Sequence, residues 1–277
     1  MHMNCKGKLI DLTKPKVMGI LNSTPDSFFS GSRVGNLDAA LKVAEQMLTD
    51  GVDFLDVGGM STRPNSDEVS ENEELNRVIP LFEVILKEFP DALISVDTYR
   101  SKVAKEAVNA GAALVNDISA GSMDGEMFST MAELKVPYIL MHMQGKPKTM
   151  QQNPTYENVV IEINQFFSEK IRELNELGVN DILLDPGFGF GKTVEHNYEL
   201  MQNLNLLGFE KFPLLVGVSR KSMVTRLLNV SATEALNGTT ALHMIALERG
   251  AKILRVHDVK EAKEVVQIWE ALHSEKK

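Results

Sequence analysis

Short apolar runs alternate with longer amphipathic stretches along the whole chain. The runs Val17–Asn22, Phe54–Gly58, Leu93–Asp97, Leu114–Asp117, Tyr138–His142, Ile182–Asp185, Leu214–Val218 and Ile253–Val256 predict strands. Several are continuously apolar rather than alternating, as parallel strands covered on both faces should be. Between them, Leu37–Thr49, Glu73–Glu88, Ser101–Ala110, Glu126–Leu134, Tyr156–Leu177, Asn197–Leu207, Thr233–Arg249 and Lys260–His273 predict helices. In the first of these, Leu37, Ala40, Leu41, Ala44 and Leu48 share one face. Pro80 predicts a kink in the second. Gly51, Gly111, Gly178 and Gly250 follow predicted helices at the position where a left-handed residue ends the last turn.

This order of elements, with no long linker, predicts a (β/α)8 barrel, the TIM barrel of the α/β class. The expected organisation is a single domain over residues 1–277, with a core from about 15 to 273. An open doubly wound sheet is the competing architecture. It would carry a glycine-rich turn after its first strand, where this chain has Asn22-Ser23-Thr24-Pro25-Asp26.

Composition narrows the chemistry. A net charge of -9 disfavours a general phosphate-backbone binder, so any anionic ligand needs a local basic cluster. Aromatic residues make up 6%, too few for a nucleic-acid stacking platform. Cys5 is the one cysteine, so no disulfide can form within the chain. It lies in a start segment expected to be mobile, and no structural zinc site is expected. The opening residues lack an apolar signal region, and no apolar run is long enough to span a bilayer. These features predict a cytoplasmic protein with no membrane or nucleic-acid partner.

Nearly every predicted strand ends in a polar residue or glycine: Asn22, Gly58-Gly59, Asp97, Asn116-Asp117, His142, Asp185, Ser219-Arg220-Lys221 and His257-Asp258. In a parallel barrel these ends open on one face, so the set reads as one binding site. The alternative, that each merely caps the next helix, remains open for individual residues. Asn22 offers an amide oxygen suited to a hard cation such as magnesium. Gly58-Gly59 lets a ligand approach the backbone, and Arg63 beyond it can grip an oxyanion. Asp97, Asp185 and Asn116 are acceptors suited to a flat heterocycle with paired N–H donors, such as a pterin.

The run Asp185-Pro186-Gly187-Phe188-Gly189-Phe190-Gly191-Lys192-Thr193 fails the phosphate-loop pattern, because Pro186 stands where glycine is required. It still provides a wall for an aromatic ligand. Ser219, Lys221, Ser222, Arg255 and His257 are donors from the last two strand ends, a common phosphate site in barrels. Arg220 and Lys221 sit at a predicted helix start, where the dipole disfavours cations, so an anionic partner is expected. His142, His196 and His243 are read as rim, core or helix residues, and the 14 methionines as core filling.

The ordered segments GILNSTPDSF, DVGGMSTRP, SVDTYR, NDISAG, MHMQGKPKTMQQNP, LDPGFGFGK, VSRKS and RVHD resemble the dihydropteroate synthase family from about Val17 to Val259. The resemblance implies a transferase of folate biosynthesis. Such an enzyme joins 6-hydroxymethyl-7,8-dihydropterin pyrophosphate to 4-aminobenzoate and releases pyrophosphate. It further implies a homodimer, magnesium, and competition by sulfonamides. By match, Asp97, Asn116, Asp185 and Lys221 form the pterin pocket. Asn22 with magnesium, Arg63, Arg255 and His257 form the pyrophosphate site. Thr62, Arg63, Pro64, Phe28, Phe190, Lys221 and Ser222 surround the aminobenzoate, under a loop carrying Asp26. Catalysis is expected from Asp97, Lys221, Arg255 and His257. Ser30-Gly31-Ser32 and Asn65 depart from the family pattern, in the loops nearest the aminobenzoate. A corrinoid methyltransferase barrel or a non-catalytic pterin-binding module would share the pterin residues.

Overall fold

The first residues form structure, against the expectation of a mobile start. In the computed structural model, which describes residues 1–22, 33–60, 69–147 and 149–274, β1 (His2–Cys5) and β2 (Lys8–Asp11) pair as an antiparallel hairpin. Lys6 and Gly7 turn it with φ of 51° and 88°. Positive φ at both central residues gives the twist that a two-residue hairpin requires. Met3 and Cys5 face inward and pack with Leu12 against the barrel lining residues Met18, Phe54, Leu114, Ile139, Leu183, Leu215 and Ile253. Burial pushes the Cys5 thiol up to about 12, so it packs as a small apolar group.

The remaining strands are β3 (Lys16–Asn22), β4 (Phe54–Gly58), β5 (Ile94–Asp97), β6 (Leu114–Asp117), β7 (Tyr138–Met141), β8 (Ile182–Asp185), β9 (Leu214–Val216) and β10 (Ala251–Val256). They close a parallel barrel in chain order, with β10 pairing both β9 and β3. The helices are α1 (Arg33–Thr49), α2 (Glu71–Glu88), α3 (Ser101–Asn109), α4 (Met127–Leu134), α5 (Val159–Glu176), α6 (Val194–Gln202), α7 (Ser222–Leu228), α8 (Leu236–Glu248) and α9 (Val259–His273). The (β/α)8 expectation holds.

Local chemistry explains where the boundaries differ. Helix α5 starts at Val159 rather than Tyr156, because the Asn158 side chain accepts from the Val160 and Ile161 amides and caps it there. The stretch expected as Asn197–Leu207 is α6 followed by a 3-10 turn, Leu204–Glu210. That expected from Thr233 is a 3-10 turn, Ala232–Glu234, then α8. Two-turn α7 is too short to show a period in the sequence. Helix α2 continues through Pro80. Gly51, Gly111, Gly178 and Gly250 all take positive φ after helices, as expected.

Strand alternation divides the barrel residues into two sets. Val17, Leu55, Val57, Val96, Val115, Leu184 and Leu254 face the helices in the main core. Their neighbours fill the barrel interior, with Met18, Phe54, Leu114, Leu183, Leu215 and Ile253 at the hairpin end. Two residues further along the same strands, the same parity brings Asp56, Asn116, Asp185 and Arg255 to the inner face. The apolar plug thus gives way to a polar layer at the opposite, C-terminal end.

Candidate active site

The polar layer is held together by one carboxylate oxygen. Asp56 Oδ2 accepts from Asn116 Nδ2 at 2.9 Å and from Arg255 Nε at 2.6 Å. The same guanidinium donates from Nη2 to Asp97 Oδ2 at 2.6 Å. Burial alone would lower the Arg255 pKa, but Asp56 and Asp97 outweigh it and hold the guanidinium protonated. Burial pushes Asp97 up to about 7 against the pull of Arg255, with Asp56, Glu74 and Asp117 adding to the rise. Asp185 is raised by burial, opposed by Lys221, the Gly187 amide, Arg255 and Lys192.

Close backbone approaches show how these groups share one mouth. A Cβ at Gly58 would sit 3.4 Å from Asn22 Oδ1 and 3.5 Å from Asp97 Cβ. One at Gly217 would lie 3.7 Å from Lys221 Nζ and 3.8 Å from Arg255 Cβ. Lys221 Nζ donates to Phe188 O at 2.6 Å and stands 4.8 Å from the Phe190 ring centroid. Burial lowers Lys221 to about 8, with Asp185 opposing. At the rim, His257 pairs with Ser219, whose Oγ lies 3.1 Å from the imidazole Nδ1. Ser222 opens α7 on the exposed side.

Acidic groups from β4, β5 and β8 and basic groups from the ends of β9 and β10 therefore share one opening. Asn116 Oδ1, Asp56 Oδ1 and Ser95 Oγ are buried and make no hydrogen bond among the described residues. An unsatisfied buried acceptor costs about 1–3 kcal/mol. The Asn116 and Asp56 oxygens suit the N–H donors of a flat polar ligand, while Arg255, Lys221 and His257 suit an anion beside it.

Not every expected residue joins the site. Asp117, next to Asn116, faces the opposite way. It accepts from Ser119 N, Ser119 Oγ, Gly121 N and Tyr138 Oη, so it shapes the turn after β6. Arg220 is held by Asp258 through two bonds of 2.8 Å and by the carbonyls of Ala232 and Thr233. Its anionic partner is this protein carboxylate, which corrects the expectation of a ligand for Arg220. His142 is buried against Lys192, as a core histidine should be. His196 and His243 lie on α6 and α8. Asp26, Phe28, Thr62, Arg63 and Pro64 lie outside the described residues, as do Ser30-Gly31-Ser32 and Asn65. Asp56 was not anticipated as a site residue. Its signal was an acid inside an apolar strand at the parity of Phe54.

Fold and lumen together define an enzyme-like barrel with an acidic pocket and a basic rim at its C-terminal mouth. Comparison with known proteins identifies the kind. The family described as pterin binding enzyme matches residues 18–257. The Escherichia coli dihydropteroate synthase is 47% identical over 278 residues, covering 100% of this chain and 98% of its own. The Yersinia pestis dihydropteroate synthase, solved with a sulfonamide drug, superposes with a TM-score of 0.92 at 47% identity and full coverage of both chains. The Xanthomonas albilineans enzyme, solved with 4-aminobenzoic acid, gives 0.92 at 37% identity, covering 99% of each. The chain belongs to the pterin binding enzyme family, within it to the dihydropteroate synthases, and is a transferase. No helix among the described residues is long and apolar enough to cross a membrane.

Proposed function

We propose that the chain condenses 6-hydroxymethyl-7,8-dihydropterin pyrophosphate with 4-aminobenzoate, forming 7,8-dihydropteroate and pyrophosphate by a dissociative route. The observation that supports it is the juxtaposition of buried acceptors, Asp185, Asp97 and Asn116, with the donors Arg255, Lys221 and His257 around one mouth. The pterin amino-amidine edge lies on Asp185, with Asn116, Asp97 and Lys221 completing its polar contacts. The diphosphate takes Arg255, His257 and Arg63. The arylamine enters beside Phe190, Ser222, Thr62, Pro64 and Phe28.

The C–O bond to the diphosphate breaks first, and its electron pair leaves with the pyrophosphate oxygen. Fixed cations at that oxygen favour the step because the charge develops there. The electron-rich dihydropterin ring spreads the methylene cation, and Asp97 stabilises it electrostatically. The arylamine nitrogen then bonds to the methylene carbon and loses its proton. A weakly basic amine needs no strong general base, so no nucleophile–base pair is required.

Magnesium fits the leaving-group end. Asn22 Oδ1 and the Asp97 side chain both lie against Gly58. Magnesium takes oxygen ligands only, keeps several waters and is commonly completed by substrate phosphates, and the Asn22 amide offers one such oxygen. Asn22 would hold it, and the ion, when bound, would supply positive charge to the leaving group. Sulfonamides, which match 4-aminobenzoate in shape, compete for its subsite. The protein works as a cytoplasmic homodimer with small-molecule substrates.

The test is pyrophosphate release from the two substrates with and without magnesium. Release that needs both substrates and rises with magnesium supports the reading. Methyl transfer to a corrinoid, or pterin binding without turnover, contradicts it.

A further inference from the structure

The buried lysine at the end of the glycine-rich run has no part in the proposed chemistry. Lys192 is 3% exposed, yet its ammonium group has three acceptors. Gly187 O, Phe190 O and His142 Nδ1 each lie 3.0 Å from Nζ. An ammonium carries three N–H donors, so all three are used. With the amine protonated, His142 Nδ1 is its third acceptor and the neutral ring carries its proton on Nε2; burial lowers Lys192 to about 7, with Asp185 opposing. Burial and the neighbouring Lys192 charge both hold the imidazole far below its usual range.

The two carbonyls bracket a turn, closed by Phe190 N donating to Gly187 O at 3.0 Å. Gly187 takes a φ of 68°, and a Cβ there would collide with the His142 carbonyl. The turn therefore sits directly on the segment following β7. Its other groups point toward the mouth. Phe188 O accepts Lys221 Nζ, the Phe190 ring faces the same ammonium, and Gly187 N donates to Asp185 Oδ1 at 2.7 Å.

We propose that Lys192, seated on neutral His142, is a positioning residue that fixes the 186–191 turn and so places Asp185, Phe190 and Lys221 for both substrates. This rests on the reading of those three as substrate contacts. Lys192 touches no substrate in this arrangement; it acts through the turn and through its charge on Asp185.

The test uses the full chain with Lys192→Met and Lys192→Gln. The methionine keeps the volume and removes all three donors. The glutamine keeps two donors for the two carbonyls and removes the charge. Displacing reacting groups by about 1 Å costs on the order of 100-fold, so Lys192→Met lowers kcat/KM by roughly that factor. The loss falls on the KM of both substrates more than on kcat, and Lys192→Gln recovers part of it. A merely structural lysine would lower the melting temperature and leave both constants of the folded enzyme unchanged. Wild-type constants within about twofold in folded Lys192→Met overturn the proposal. If neither variant folds, nitrogen NMR of histidine in the wild-type chain decides. A His142 ring unprotonated at Nδ1 supports the arrangement, and one protonated there overturns it. Absence of wild-type turnover would instead count against the proposed function.

Discussion

Arg255 Nε lies 2.6 Å from Asp56 Oδ2, inside a barrel whose strands bring the two residues together from 199 positions apart. Asp56 is fully buried and also holds Asn116. One carboxylate therefore orients a proposed leaving-group residue and a proposed pterin residue at once. Replacing Asp56 with alanine leaves the Arg255 charge with Asp97 as its remaining carboxylate partner. Asp97 keeps the Arg255 charge compensated, so the loss stays below that of a buried pair broken outright; with Asn116 Nδ2 left without its acceptor, Asp56→Ala should lose about 1–3 kcal/mol of stability in denaturant titrations. The folded fraction should also lose kcat/KM.

Arg255→Ala should cost about 2.7–4 kcal/mol of transition-state stabilisation, the range for removing a preorganised donor to a developing anion. Steady-state kinetics, corrected for the folded fraction, gives the number. Arg255→Lys keeps the charge but not the fork that spans Asp56 and Asp97, so it should remain well below wild type. Near-normal turnover in either variant would refute the role of Arg255 at the leaving group.

Asp185→Ala removes the acceptor at the end of β8. Hydrogen bonds to a charged group contribute about 1.5–3 kcal/mol each. Calorimetry should therefore show pterin pyrophosphate binding weakened by roughly 10–100-fold, with 4-aminobenzoate less affected. An unchanged dissociation constant would remove Asp185 from the pterin pocket.

Acid stability should carry the mark of two buried histidines. Burial, reinforced by Lys192, depresses His142 from 6.5 to about 2, and burial depresses His243 to about 4. The unfolded chain takes up these protons near 6.5 and the folded chain does not. Their contribution is thus full above 6.5 and is lost as pH falls through the folded values. Asp97, Asp117, Asp185 and Glu74 are raised by burial and act in the opposite sense. Comparing wild type with His142→Asn isolates one group. Between pH 6.5 and 4 the unfolding free energy of the variant should fall less steeply than that of wild type. Parallel curves would contradict the buried neutral state.

The barrel was legible because its strands are continuous apolar runs and its helices end in glycine at Gly51, Gly111, Gly178 and Gly250. Asp97, Asn116, Asp185 and Arg255 were legible because strand ends of a parallel barrel share one face. What the sequence hid depends on partners distant in the chain. Arg220 reads as a helix-start cation in need of an anionic partner, and that partner, Asp258, lies 38 residues away in the chain. Asp117 and Asn116 are adjacent, and only strand parity sends one to the turn and the other to the lumen. Asp56 was passed over because an acid two residues inside a strand gives no sign of its partner. The hairpin was missed because Met3 and Cys5 bury their side chains only once the barrel exists.

The central claim is that one mouth holds a pterin by its acids and parts it from a diphosphate by its bases. The direct measurement is simultaneous quantification of pyrophosphate and 7,8-dihydropteroate, with both substrates and magnesium present. The account predicts that the two products accumulate in equal amounts, and that Asp185→Ala and Arg255→Ala suppress both together. Pterin consumed without dihydropteroate, or full product formation by both variants, would contradict it.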